Sequence, residues 1–142
     1  MDPEFDNCLK RGLEKVPVSD DLIQKELAGA KDDLDGAKKI MAEGNHKWAS
    51  VMAYYSMFHT ACALLYSKGY REKKSHVCLA VGLRVLFVET KEIEEKHLER
   101  LNDCKNLREE ADYSLASDNE SAGEAIEWAE EFLQAAKELI GK

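Results

Sequence analysis

A short basic stretch contains the residues of this sequence best suited to binding phosphate. Five of the nine residues from 68 to 76 are basic, although the chain of 142 residues carries a formal net charge of −8. They are Lys68, Arg71, Lys73, Lys74 and His76. Lysine and arginine neutralise phosphate oxygens, and a helix beginning near Ser75 would add backbone N–H donors. The stretch predicts a phosphate-binding patch with Lys74, Ser75 and His76 as binding residues, and the alternative is an ordinary solvated loop.

Within this stretch, Arg71 and His76 have four residues between them. That spacing could pair a phosphate-binding cation with an imidazole, which exchanges protons near neutral pH. A chain with several arginines and histidines also contains such a spacing by chance. The pair is therefore weak evidence for a catalytic site.

A second group of reactive side chains comes from two distant segments. Tyr54 and His59 lie in a largely apolar segment, and Arg108, Asp112 and Tyr113 follow much later. One interpretation places all five in a polar cleft, with Tyr54 and His59 as binding residues. The alternative makes Arg108 and Asp112 an ion pair along one helix, and His59 an ordinary core histidine.

Metal and cofactor motifs are missing from the sequence. It contains no glycine-rich phosphate loop and no Cys/His zinc spacing. Glu94 and His97 form one Glu-x-x-His pair, whereas a di-iron bundle needs two such pairs and two further glutamates. The four cysteines, at positions 8, 62, 78 and 104, include no Cys-x-x-Cys pair, which favours buried thiols in a reducing cytoplasm. We expect a cytoplasmic protein without metal or cofactor.

The elements that position these residues are predicted to be helices. Apolar residues recur at alternating intervals of four and three from residue 23 to residue 41, which forms one helical stripe. Ser19 can cap this helix and Gly44 can end it. Further helices are predicted over 45–68, 75–89, 90–113 and 120–139, with Thr90 capping the one over 90–113. Residues 6–16 are predicted to form a weak helix before the bundle, and residues 69–75 are predicted to form a loop.

The helix over 45–68 is predicted to lie at the centre of the fold. It has no formal charge from Trp48 to Ser67 and is apolar on every face. Such a helix lies either inside a bundle or in a membrane, and about 20 residues can span a bilayer. Ser56, His59 and Thr60, with tyrosines at mid-segment, favour the bundle. We predict an all-α, up-and-down bundle of four long helices, with a short N-terminal fifth helix as an option. Residues 1–5 read as a cloning scar, and 6–142 form one domain.

Three blocks of sequence resemble the HEPN domain family. They are Tyr-Tyr-Ser-Met-Phe-His over 54–59, Lys-Ser-His over 74–76, and Arg-Glu-Glu-Ala-Asp-Tyr over 108–113. The resemblance covers roughly residues 20–140. It implies a helical bundle that is usually a homodimer, in many cases paired with a minimal nucleotidyltransferase as toxin and antitoxin. Active members are metal-independent ribonucleases in which an arginine is followed, after four to six residues, by a histidine.

The sequence departs from the ribonuclease motif at the histidine. Arg108 matches the motif arginine, so the resemblance implies Arg108, Asp112 and Tyr113 as candidate catalytic residues. The position after four intervening residues, however, is Tyr113 and not a histidine. A tyrosine, with an unperturbed pKa of about 10, is a weaker base than imidazole at neutral pH. The resemblance therefore implies a dimeric module that binds nucleotide or RNA phosphate and pairs with a minimal nucleotidyltransferase. The alternatives are a ribonuclease toxin using Arg108 with an atypical partner, and a structural helical dimer without ligand.

Overall fold

Helices account for most of the chain in the computed structural model, which describes residues 2–113 and 119–142 and the side chains of 2–106 and 120–142. Over these residues the elements are α1 (Pro3–Arg11), β1 (Leu13–Lys15), α2 (Asp20–Ala42), α3 (His46–Ser67), β2 (Tyr70–Glu72), α4 (His76–Leu83), a π-helical turn (Arg84–Val88), α5 (Glu95–Tyr113) and α6 (Asn119–Ile140). The prediction of an all-α fold is confirmed, with one very small sheet added to it.

Helix α3 lies at the centre of the core, as predicted. It packs against α2, α5 and α6. Two of its buried hydroxyls have partners: Ser56 Oγ donates to the carbonyl of Ala30 at 2.7 Å, and Thr60 Oγ1 donates to the carbonyl of Ser56 at 3.0 Å. Because these bonds replace water, the two polar residues can lie inside the protein at little cost. Among the described residues, no helix is both long enough and apolar enough to cross a bilayer.

Helix α2 has the ends that the sequence predicts. Ser19 Oγ accepts the N–H of Leu22 at 3.4 Å, and Gly44 follows the helix with φ +85°. The buried stripe consists of Ile23, Leu27, Ala30, Leu34 and Ala37. Small residues in this stripe and along α3 let the two helices approach closely.

The predicted start of the helix at Thr90 is wrong. Thr90 Oγ1 donates to the carbonyls of Leu86 and Phe87, both at 3.1 Å, so this hydroxyl completes the preceding π-helical turn. Lys91 then takes a left-handed conformation with φ 64°, and α5 begins only at Glu95. A threonine that bonds back to the previous turn has the same local sequence as one that caps the next helix.

A two-stranded antiparallel sheet occupies part of the predicted loop over 69–75. Leu13 pairs with Glu72, and Lys15 pairs with Tyr70. Gly69 enters this sheet with φ +80°, and a Cβ there would lie 3.0 Å from the carbonyl oxygen of Val16. The loop prediction is therefore wrong for residues 70–72. Strands of three residues are too short to show a period-two pattern.

Residues 2–5, which the sequence suggests are a cloning scar, form the N-cap and the first residues of α1 in the structure. Asp2 caps the helix by accepting the N–H of Phe5 at 3.0 Å. Its carboxylate also accepts from the guanidinium of Arg84 at 2.8 Å, which lowers the pKa of Asp2 to about 2. These residues thus attach α1 to the turn that follows α4.

The prediction of four buried thiols is wrong for two of the cysteines. Cys8 in α1 and Cys78 in α4 form a disulfide, with their Cα atoms 5.5 Å apart. Cys62 and Cys104 are buried free thiols, and burial raises the pKa of Cys104 to about 12. The bonded pair is 70 residues apart in the sequence, so only the packing of α1 on α4 brings the sulfurs together.

Candidate functional site

Ser75 immediately precedes α4 and caps its N-terminus. Its Oγ accepts the N–H of Cys78 at 3.1 Å, and its own N–H donates to Glu72 Oε2 at 2.8 Å. This double use makes Ser75 the N-cap of the helix. The next residue, His76, therefore occupies the first helical position in a defined backbone conformation.

His76 contacts Tyr54, and this contact joins two of the predicted binding residues. The Tyr54 hydroxyl lies 2.5 Å from His76 Nδ1, and the phenol is only 1% exposed. The ring of Phe58 lies 5.1 Å from the imidazole, centroid to centroid. A buried phenol and a packed aromatic ring restrict the orientation of the imidazole. An imidazole held in this way is a candidate for a proton-transfer role.

An open basic cleft of about 410 Å³ lies at the residues that immediately precede α4, and neither Tyr54 nor His76 lines it. Its lining residues are Arg11, Glu14, Arg71, Glu72, Lys73 and Lys74. Four of these side chains are cationic and two are anionic, which leaves a formal excess of two positive charges. Lys74 has a left-handed backbone with φ 55°, an uncommon conformation for a residue other than glycine. An anion such as phosphate is the ligand that this balance of charges favours.

Not every cation of the predicted patch is available to the cleft. Arg71 Nη2 donates to Glu14 Oε2 at 2.8 Å, and this ion pair lowers the pKa of Glu14 and raises that of Arg71. Lys68 lies elsewhere: its Nζ donates to the carbonyl of Leu86 and to Glu92, and lies 4.4 Å from the centroid of the Phe87 ring. Lys73 and Lys74, both exposed, are therefore the principal lysines of the cleft.

His59 faces helix α2. Its Nδ1 lies 2.7 Å from Glu26 Oε2, and its Nε2 lies 3.5 Å from Asp33 Oδ2. The hydrogen bond to Glu26 raises the pKa of His59, while burial raises the pKa of Asp33. The ring of Phe58 contacts both histidines, because its centroid lies 5.9 Å from the centroid of His59 and 5.1 Å from that of His76. Thus Tyr54 pairs with His76, and His59 pairs with carboxylates.

Arg108, Asp112 and Tyr113 lie on α5, whose helix runs to Tyr113. Their side chains lie outside the described part of the structure. Their placement in a cleft with Tyr54, and the ion pair between Arg108 and Asp112, both stay predictions.

His97 belongs to the core stripe of α5, and its Glu-x-x-His partner, Glu94, is exposed. The imidazole is buried and stacks on Phe132 with centroids 5.3 Å apart. Burial lowers the pKa of His97. Within the residues that the structure describes, no three His, Cys, Asp or Glu side chains are grouped so that they could hold a metal ion.

Two residues that line the cleft, Arg11 and Glu14, could not be predicted from the sequence. Arg11 and Glu14 reach the cleft only because α1 and β1 fold back onto β2 and α4. Their separation of about 60 residues from Arg71 leaves no local signal. The basic stretch itself was the signal that located the cleft.

Comparison with known proteins identifies the family. A sequence model of the HEPN domain matches residues 23–139. The chain is 32% identical over 119 residues to a Methanocaldococcus jannaschii protein named "Putative toxin MJ0605", an alignment that covers 83% of this chain and 88% of that protein. It is 30% identical over 127 residues to an Archaeoglobus fulgidus "UPF0332 protein", covering 86% and 98% of the two chains. A second M. jannaschii protein, "Putative toxin MJ0142", is 32% identical over 104 residues, covering 73% and 63%. Because the matched region contains all three sequence blocks and most of the helical core, this chain belongs to the HEPN domain family.

Proposed function

We propose that this protein binds the phosphates of RNA or of a nucleotide in the basic cleft beside the N-terminus of α4. In this proposal the protein is a homodimer and pairs with a minimal nucleotidyltransferase in a system of the toxin–antitoxin kind. The observation that carries it is the excess of cations in the cleft, two of which, Lys73 and Lys74, immediately precede the N-cap residue Ser75. The relatives named as toxins support the same class of activity.

Recognition in the cleft would combine charge with backbone donors. Lys73 and Lys74 supply mobile ammonium groups, and the first turn of α4 adds its positive dipole end. Because Arg71 is already paired with Glu14, its positive charge is partly neutralised. The affinity for phosphate therefore rests mainly on Lys73, Lys74 and Arg11. Such binding releases counterions and weakens steeply as salt is added.

Reversal of the two cleft lysines tests the proposal. Lys73→Glu with Lys74→Glu should weaken binding of a short single-stranded RNA at least about tenfold at 0.1 M salt, because phosphate contacts dominate such affinities. The matched control is Lys25→Glu with Lys39→Glu, two exposed lysines of α2 that carry the same charge change. Fluorescence anisotropy measures both. An equal loss of RNA affinity in the two variants would show that only the net charge matters, and it would contradict a site in the cleft.

Ribonuclease activity is a second candidate, favoured by the Tyr54–His76 contact. The sequence lacks the histidine expected after Arg108, and His76 is an imidazole held in a defined orientation by a buried phenol. In this version His76 is the atypical partner. Its imidazole removes the proton from a ribose 2′-OH, and the 2′-oxygen attacks phosphorus to form a 2′,3′-cyclic phosphate. The bond from phosphorus to the 5′-oxygen breaks, and that oxygen takes up the proton from the imidazolium. Arg108 would stabilise the charge on the phosphate.

Cleavage of RNA by the metal-free protein in EDTA tests this second candidate. The wild type should yield a 2′,3′-cyclic phosphate, and Arg108→Ala and His76→Gln should each lower the rate by about 100-fold or more. If both variants retain the wild-type rate, the activity belongs to a contaminant and the candidate is excluded.

Two further observations address the partner and the third alternative. Co-expression with a nucleotidyltransferase encoded beside this gene should yield a co-purifying complex.

A structural dimer without ligand predicts no specific thermal shift with any nucleotide, so a shift that Lys73→Glu with Lys74→Glu removes would contradict it.

A further inference from the structure

An N-terminal segment outside the matched family region covers one side of the cleft. We define the N-terminal segment as residues 2–16, which contain α1 and β1, whereas the family match begins at residue 23. β1 pairs with β2, and the carbonyl of Gly12 accepts the N–H of Lys73 at 2.8 Å. Within the segment, Leu13 is buried in the core. The segment therefore fixes the backbone that presents Lys73 to the cleft.

The N-terminal segment also contributes charged side chains to the cleft. Arg11 ends α1 and lines the cleft, while Glu14 in β1 pairs with Arg71 in β2. If the segment moved away, the cleft would lose Arg11, and the loop over 73–75 would lose its bond to Gly12.

The disulfide joins the N-terminal segment to the same turn that holds His76. Cys78 is two residues after His76, and its N–H is the one that Ser75 Oγ accepts. Gly12 lies against this turn so closely that a Cβ there would be 2.4 Å from Cys78 Sγ. The Cys8–Cys78 bond thus connects α1, the first turn of α4 and the cleft in one unit.

We propose that the Cys8–Cys78 disulfide is a redox control on the phosphate site: the oxidised protein holds the N-terminal segment in place and binds phosphate, and reduction weakens that binding. This proposal rests on the proposed function, whose site it regulates. The reductant is a dithiol. One of its thiolates attacks a sulfur of the disulfide to form a mixed disulfide, and its second thiol resolves that bond. Two electrons pass to the protein, the Cys8 and Cys78 thiols form, and the dithiol becomes a cyclic disulfide.

Both sulfurs are buried, so a reductant reaches them only when the N-terminal segment opens locally. Once the bond is broken, the segment is held by the short sheet, by the burial of Leu13 and by the Asp2–Arg84 pair. Because the cross-link no longer restricts the chain, the open state becomes more populated. We therefore expect an ordered site when the protein is oxidised and a partly dismantled one when it is reduced.

The test uses three forms of the full chain: the wild type, Cys8→Ala with Cys78→Ala, and the control Cys62→Ala, which removes a cysteine but keeps the disulfide. Thiol titration of the denatured wild type should find two thiols before reduction and four after it. Limited trypsin digestion should cut after Arg11 and Lys15 about tenfold faster once the protein is reduced, because cleavage follows local opening. The double variant should be cut quickly in both conditions, and Cys62→Ala should respond as the wild type does.

RNA binding by the same samples supplies the second measurement. Reduction should raise the Kd of the wild type and of Cys62→Ala about fivefold, since an ordered site binds more tightly than a disordered one. The double variant should bind weakly whether or not reductant is present.

Four thiols in the unreduced protein, or equal trypsin rates in both states, would overturn the structural part of the proposal. Equal RNA affinity in both states would overturn the regulatory part. If the wild type binds no RNA in either state, the proposed function fails and the regulatory claim fails with it, while the trypsin rates still show whether the bond holds the segment.

Discussion

At the scale of single residues, two histidines of this protein have opposite surroundings. His59 lies between two carboxylates at the surface of α2, and its pKa is raised. His97 is buried against Phe132 and its pKa is lowered. The sequence predicts His59 and His76 as candidate binding residues. It could not foresee that His76 meets Tyr54 from 22 residues away, because that contact depends on how α4 folds against α3.

The His59–Glu26 pair predicts a dependence of stability on pH. Because the folded state raises the pKa of His59, its contribution to the free energy of unfolding is fully present below the unfolded value of about 6.5. That contribution is lost as the pH rises through the folded-state pKa. His59→Gln should therefore destabilise the protein more at pH 5.5 than at pH 8.5. Since the side chain is about one third exposed, solvent screening limits the difference to about 1 kcal/mol or less.

Urea unfolding at the two pH values measures this difference. Glu26→Gln provides the control: in that background the pH dependence of the His59→Gln effect should nearly vanish, because the hydrogen bond that raises the pKa is weakened. A destabilisation that is the same at both pH values would show that His59 acts only through packing.

At the scale of elements, the long helices follow from local pattern and the small ones do not. The stripe of α2 and the uncharged α3 are visible in the sequence because each repeats over many turns. β1 and β2 are three residues each, and they form because the N-terminal segment is brought to Tyr70–Glu72 by packing. The start of a helix predicted at Thr90 is wrong because the Thr90 hydroxyl can bond either to the preceding turn or to the following one.

The close packing of the N-terminal segment on α4 predicts an unequal response to alanine at two glycines. Gly12→Ala places a Cβ 2.4 Å from Cys78 Sγ and 2.7 Å from Cys78 Cβ, so the elements must move apart, at a cost of about 1–3 kcal/mol. Gly123→Ala in α6 meets its nearest neighbour, Met41 Cε, at an ordinary 3.7 Å. It should stabilise the protein by about 0.5–1 kcal/mol through helix propensity.

Chemical unfolding of the two glycine variants beside the wild type checks this prediction. If Gly12→Ala proves as stable as the wild type, the N-terminal segment does not press against α4 as the structure has it.

At the scale of the whole molecule, an acidic protein carries a local basic surface. The net charge of −8 opposes indiscriminate binding of nucleic acid, so we expect phosphate binding where Arg11, Lys73 and Lys74 line the basic cleft. The sequence predicted the family, the all-α core and the basic stretch. It did not predict the disulfide or the contribution of residues 2–16, because both depend on contacts between distant parts of the chain.

The most direct test of the central claim is to map the binding site of a short single-stranded RNA by amide NMR. A titration of the ¹⁵N-labelled, oxidised protein should shift the amide signals of Arg11 and of Lys73 to Cys78, in proportion to RNA bound. The signals of the α2 surface around Lys25 and Lys39 should stay in place. Shifts confined to another surface, or none at saturating RNA, would contradict a phosphate site at the N-terminus of α4.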